Sequence, residues 1–115
     1  MFNFHKKEPE PDQYTDEQAV IVEIDLSHSD TSKDKELTKL KALESGVQQA
    51  LPRNTEWDGD DITTDEATFY IYGPDADAVF SSIKDVLKKS DFDYITITLR
   101  YGALDTKSEE KKFTL

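Results

Sequence analysis

Cysteine is absent from the 115 residues, and glycine and proline occur only four times each. Without thiols the chain has no disulfide framework, no thiolate nucleophile and no thiolate metal site. The glycines stand apart at positions 46, 59, 73 and 102, so there is no glycine-rich loop to cradle a phosphate. The two histidines, His5 and His28, are distant in sequence and match no helical ligand spacing. No serine occupies a strand-turn-helix elbow of the kind that exposes a nucleophile. Apolar runs of membrane-spanning length are missing as well. The opening "MFNFHKKEPEPDQYTDEQ" carries Lys6 and Lys7 but is then interrupted by Glu8, Pro9, Glu10 and Pro11, so it lacks the continuous apolar segment of a signal peptide. The expectation from these absences is a cytoplasmic protein in a reducing compartment, with no cofactor and no metal.

Basic residues are the scarcer charge. Fourteen stand against 25 acids, for a net charge of −11 at pH 7. Such a balance raises solubility and repels phosphate backbones and anionic membrane surfaces, so neither nucleic acid nor membrane is an expected partner. It also steers a basic protein toward encounter.

What is present is a sequence of amphipathic segments long enough for one domain, which at this size hides roughly two-thirds of its unfolded surface. Residues 1–17 are a polar, acidic, proline-bearing stretch without apolar period and are expected to form a flexible arm. In "AVIVEIDL", Val20, Val22, Ile24 and Leu26 alternate with Ala19, Ile21, Glu23 and Asp25, which predicts a strand with one buried and one mixed face. A polar loop, "SHSDTSKDKE", leads to a helix cap at Thr31 or Ser32. Leu37, Leu40, Leu43, Val47, Ala50 and Leu51 then recur at helical spacing until Pro52 ends the helix. Gly46 inside it suggests close packing against the sheet.

"NTEWDGDDITTDEATFYIYG" reads as a hairpin, with a short strand around Thr55 to Asp58 and a firm one from Glu66 to Tyr72. Ala67, Phe69 and Ile71 share one face of the second strand, and Thr68, Tyr70 and Tyr72 the other. The acids Asp58, Asp60, Asp61, Asp65 and Glu66 invite a calcium loop, but counting from Asp58 puts Thr63 and Phe69 where glycine and glutamate are required. They are read as solvated turn acids, and Trp57 beside them as a plug at the sheet edge.

In "YGPDADAVFSSIKDVL" the chain passes from strand to helix: Gly73 supplies unusual dihedrals, Pro74 fixes the exit angle and Asp75 caps the first turn. Ala76, Val79, Phe80, Ile83, Val86 and Leu87 form the buried stripe that follows. Asp75 and Asp77 already occupy this helix start and would repel an anion, so the turn reads as structural. A last strand, "DYITITLRYG", places Ile95, Ile97, Leu99 and Tyr101 on one face and Tyr94, Thr96, Thr98 and Arg100 on the other. Residues 103–115 are a charged tail whose "FTL" ending can add a short edge strand through Phe113 and Leu115.

Strand, helix, two strands, helix, strand is the βαββαβ order of an α+β, ferredoxin-like two-layer sandwich over residues 18–102, an antiparallel sheet with two helices on one face. Its reverse face would be open, and Glu23, Asp25, Tyr70, Tyr72 and Arg100 on it are the candidate binding residues. Paired tyrosines suit base stacking, but here the basic surround of a nucleic-acid platform is missing. The remaining readings are a solvated or tail-covered face, or a contact surface for another protein, a second copy included.

"EATFYIYGPDADAVFSSIKDVL" with the later "ITITLRYG" resembles a family of small uncharacterised bacterial ferredoxin-like α+β proteins. The likeness runs from Trp57 to Gly102 and rests on the YGPDAD strand-to-helix turn and the later RYG. It implies a compact two-layer fold and supplies no catalytic residues. The expected function is therefore non-catalytic protein binding in the cytosol, with immunity-type neutralisation of a basic partner as its specific version. The alternative is a small ferredoxin-fold enzyme using carboxylate and tyrosine acid-base chemistry, which predicts a concave pocket converging near Tyr70, Tyr72, Glu23 and Arg100.

Overall fold

A computed structural model describes residues 18–28, 32–102 and 110–115. The expected arm over 1–17, the alternative cap Thr31, His5 and the tail residues 103–109 lie outside the described residues. Among the described residues seven elements follow one another: β1 (Gln18–Asp25), α1 (Lys33–Ala50), β2 (Glu56–Ile62), β3 (Glu66–Gly73), α2 (Ala76–Lys88), β4 (Ile95–Arg100) and β5 (Glu110–Thr114). The strands form one antiparallel sheet in the order β2-β3-β1-β4-β5. The expected βαββαβ order is thus extended to βαββαββ, because the segment ending in "FTL" pairs fully along β4, with Ile97 opposite Phe113.

Alternation places the core. Val20, Val22 and Ile24 of β1, Ala67, Phe69 and Ile71 of β3, and Ile95, Ile97 and Leu99 of β4 share one sheet face and are buried. They form a single cluster with Leu40, Leu43 and Val47 of α1 and Ala76, Val79, Ile83 and Leu87 of α2. Both helices therefore pack on the same side of the sheet. Full burial of each large aliphatic or aromatic side chain contributes roughly 1.5–3 kcal/mol, and this shared cluster is the main source of stability. Among the described residues no helix is long and apolar enough to cross a membrane.

Local sequence explains the element ends. Ser32 caps α1, its hydroxyl accepting from the Lys35 amide at 3.4 Å, and Leu51, held extended before Pro52, closes it. The α2 start is held twice: Asp75 Oδ1 accepts from the Ala78 amide at 3.1 Å and Gln18 Oε1 from the Ala76 amide at 2.7 Å. Those amides are satisfied from within the fold, as the structural reading of the YGPDAD turn requires.

Four expectations need correction. Leu37 is 45% exposed, because the buried arc of α1 runs through Glu36, Leu40, Leu43, Glu44 and Val47, which turns Leu37 outward. Gly46 faces the second helix rather than the sheet, since a Cβ there would lie 3.2 Å from Val86 Cγ1. Gly73 does not use a left-handed conformation; it is small because a Cβ would meet Thr55 Cγ2 at 2.8 Å. The left-handed glycine is Gly59, with φ 121°, at a β-bulge between Trp57 and Gly59 that carries β2 on to Ile62 instead of ending it at Asp58.

Candidate functional site

The strand register sets out the face turned away from the helices in rows. Tyr72, Ala19, Arg100 and Glu110 form one row, Tyr70, Ile21, Thr98 and Lys112 the next, and Thr68, Glu23, Thr96 and Thr114 a third. Asp25 lies beyond them, opposite Glu66. The five expected residues, Glu23, Asp25, Tyr70, Tyr72 and Arg100, therefore do share a face, but they do not converge. Ala19 separates Tyr72 from Arg100, two strand spacings or roughly 10 Å apart.

Arg100 is also engaged within the fold. Its Nε lies 2.8 Å and its Nη2 2.7 Å from Glu110 Oε2, a forked pair across β4 and β5. The guanidinium expected to offset the acids of the face is thereby neutralised by an acid of the fifth strand. Tyr70 is half-buried, and its phenol is held above its usual range, first by burial and then by the charges of Asp61, Glu23 and Glu66. A tyrosine kept protonated in this way is a hydrogen-bond donor and an apolar plate, and a poor general base.

The concave part of the face lies toward the Asp25 end. A groove of about 620 Å³ is lined by Glu23, Asp25, Ser27, Asp65, Glu66, Tyr94, Thr96 and Lys112. Four carboxylates thus surround one ammonium. Glu23 and Asp25 are in it, whereas Tyr70, Tyr72 and Arg100 are not among its lining residues. Its walls are fixed by backbone bonds from the Asp25 amide to the Tyr94 carbonyl at 2.9 Å and from the Leu26 amide to the Asp65 carbonyl at 2.7 Å. The Thr63 hydroxyl accepts from the Glu66 amide at 3.1 Å and so shapes the turn that presents Asp65 and Glu66.

At the rim, Asp25 accepts from the Ser27 hydroxyl at 2.6 Å and the Ser27 amide at 2.9 Å. These bonds, with a smaller contribution from His28, hold its carboxyl below the usual aspartate value. His28 Nε2 is 3.4 Å from Asp25 Oδ2, and its ring stacks on Tyr94 at 4.1 Å between centroids. Tyr94 itself is 52% exposed. The result is an acidic trough with an accessible aromatic plate at its edge, able to take an ammonium or guanidinium by ion pairing and by stacking.

Of the other lining residues, the sequence offers Asp65 and Glu66 only as turn acids, and Tyr94, Thr96 and Lys112 not as site residues at all. Tyr94 and Thr96 carried a signal, since alternation puts them on the open face. Lys112 carried none, because its place depends on β5 pairing. The acids expected in one turn are distributed instead: Asp58, Asp60 and Asp61 lie on β2, with Asp60 opposite Phe69 and Asp61 opposite Thr68 on alternate faces. Among the described residues, no group of three or more histidines and carboxylates stands where it could hold a metal ion. Trp57 packs on Phe69 at 5.3 Å between ring centroids, half-buried at the sheet margin. The chain matches no protein-family model, no curated protein and no solved structure.

Proposed function

We propose that this chain is a ferredoxin-like domain enlarged by a fifth strand, and that it acts in the cytosol as a binding protein for a basic protein partner. The strand order β4-β1-β3-β2 contained within the sheet supports the fold assignment, with β5 added beside β4. The observation that carries the function is the acidic groove formed by Glu23, Asp25, Asp65 and Glu66 beside the exposed ring of Tyr94. A lysine or arginine side chain presented by a partner finds there both charge and a stacking surface, and the net charge of −11 steers its approach. Neutralisation of a basic toxin, as immunity-type proteins perform, is one function that such a surface serves. The raised phenol of Tyr70 favours binding over proton transfer on this face.

Affinity capture at low and high salt, with the parent and a Glu23→Lys/Glu66→Lys variant side by side, tests the reading. A basic protein held by the parent, released by salt and missed by the variant is the expected result. Capture of nothing at either salt, or equal capture by both chains, overturns it. Self-association through the tyrosine rows is a separate use of the same face. Light scattering of Tyr70→Glu against the parent decides it, because an oligomer built on this face would fall to monomer mass.

A further inference from the structure

At the rim of the acidic groove a flat nitrogen ring already occupies the place that a partner's cation would take. His28 lies in the turn after β1, and its ring stacks on Tyr94 with 4.1 Å between centroids and 29° between planes. From there its Nε2 reaches Asp25 Oδ2 at 3.4 Å. Asp25 Oδ1 is taken by the hydroxyl and amide of Ser27, so Oδ2 is the oxygen left for a group lying on the ring. The His28, Asp25 and Tyr94 side chains are all about half-exposed and open to an incoming ligand.

The two contacts of His28 make different demands. Stacking on Tyr94 requires a plane, and the reach to Asp25 requires an N–H donor at the edge of that plane. A guanidinium meets both, being planar, permanently charged and fringed with donors. A lysine ammonium is a compact, strongly hydrated point charge that pairs with a carboxylate but cannot lie flat on a ring. Tyr94 and Asp25 also line the groove together with Glu23, Asp65 and Glu66, and Lys112 is the one cation of that lining. We propose that the groove is an arginine site, in which a partner's guanidinium replaces the His28 ring on Tyr94 and pairs with Asp25, and that His28 is the place-holder covering the ring until then. The assignment rests on the groove's role as the surface for a basic protein, and it names the side chain by which that protein is held. The exchange favours the guanidinium, because the 3.4 Å reach of His28 is longer than the roughly 2.7–2.9 Å of a charge-assisted bond to carboxylate.

The test uses the full chain and two probes of equal charge, tetra-arginine and tetra-lysine peptides, followed by NMR through the ring protons of Tyr94 and His28. Tetra-arginine should bind more tightly by roughly threefold to fivefold, the worth of an exposed stacking contact, and should shift the His28 signals as that ring leaves Tyr94. Tyr94→Leu should bring the two peptides level, and Tyr94→Phe, which keeps the ring, should retain the preference. His28→Ala should tighten tetra-arginine more than tetra-lysine. Equal affinities in the parent, a preference that survives in Tyr94→Leu, or no such gain in His28→Ala overturns the arginine site, and in each case bound tetra-lysine leaves the acidic groove standing as a surface for basic partners. Binding of neither peptide overturns both.

Discussion

The two helices dock on the same sheet face yet bury different chemistry. Every buried residue of α2 is apolar, whereas α1 buries Glu36 and Glu44 among Leu40, Leu43 and Val47. Position explains the difference. The α2 backbone approaches β1, β3 and β4 closely, while that of α1 comes closest to α2. Toward the β2 margin its side chains bridge a wider gap, as Lys33 does in donating to the Thr64 carbonyl at 2.7 Å. A helix over the middle of a sheet has only hydrocarbon to face, and one at the margin retains room for polar groups.

Truncation in the core should sharpen this contrast most. Ile83→Ala, at a wholly buried α2 position over the central strands, is expected to lose about 4 kcal/mol in urea denaturation, and Leu43→Ala on α1 about 2 kcal/mol. Equal losses would mean that the margin is packed as tightly as the centre. Next in size, Glu44→Leu should raise stability at pH 8 by roughly 1–3 kcal/mol, because it removes a buried carboxylate that lacks a donor. Burial raises the Glu44 carboxyl to about 7, and the sign follows from that. The native state holds a proton that the unfolded chain releases between 4.5 and about 7, so the parent loses stability as pH rises through that window. At pH 4 the gain from Glu44→Leu should accordingly shrink. A gain independent of pH would point to packing alone.

Apolar period made both helices and three of the strands legible, because Val20, Val22 and Ile24, or Val79, Ile83 and Leu87, mark a buried face whatever the packing partner. It did not separate the margin from the centre, since Glu44 reads as a solvated residue when only the stripe beside it is counted. The bulge hid the rest of β2. One extra residue puts "WDGDDI" out of phase, so the strand looks finished at Asp58 when it continues to Ile62. The five residues expected on the open face were placed there by alternation, and the groove was not foreseen because it needs the β3 turn, the residue before β4 and the fifth strand at once.

The helix starts give a smaller contrast. Asp75→Ala should cost about 1 kcal/mol and Ser32→Ala about 0.5 kcal/mol, the longer bond at Ser32 contributing less. Thermal unfolding would show it, and a reversed order would mean that Gln18 alone holds the start of α2. The least effect is expected at Asp25. Its lowered carboxyl adds stability that is present above the ordinary aspartate value of 3.8 and is lost as pH falls through its folded value. Asp25→Asn should therefore flatten the acid limb of the stability profile below about pH 4 and be slightly less stable than the parent at neutrality, where the contribution is present.

The register slip at Gly59 leaves one residue to spare in this part of the molecule. Deleting the codon for Asp58, the extra residue of the bulge, would leave Gly59 opposite Tyr70, Asp60 opposite Phe69 and Ile62 opposite Ala67 in unbroken alternation, so that Ile62 keeps its place toward the helices. In a deletion scan the short interval between Trp57 and Asp60 should accept the loss of one residue, which straightens the strand, where the same loss in the unbroken ladder of β1 reverses every side chain beyond it.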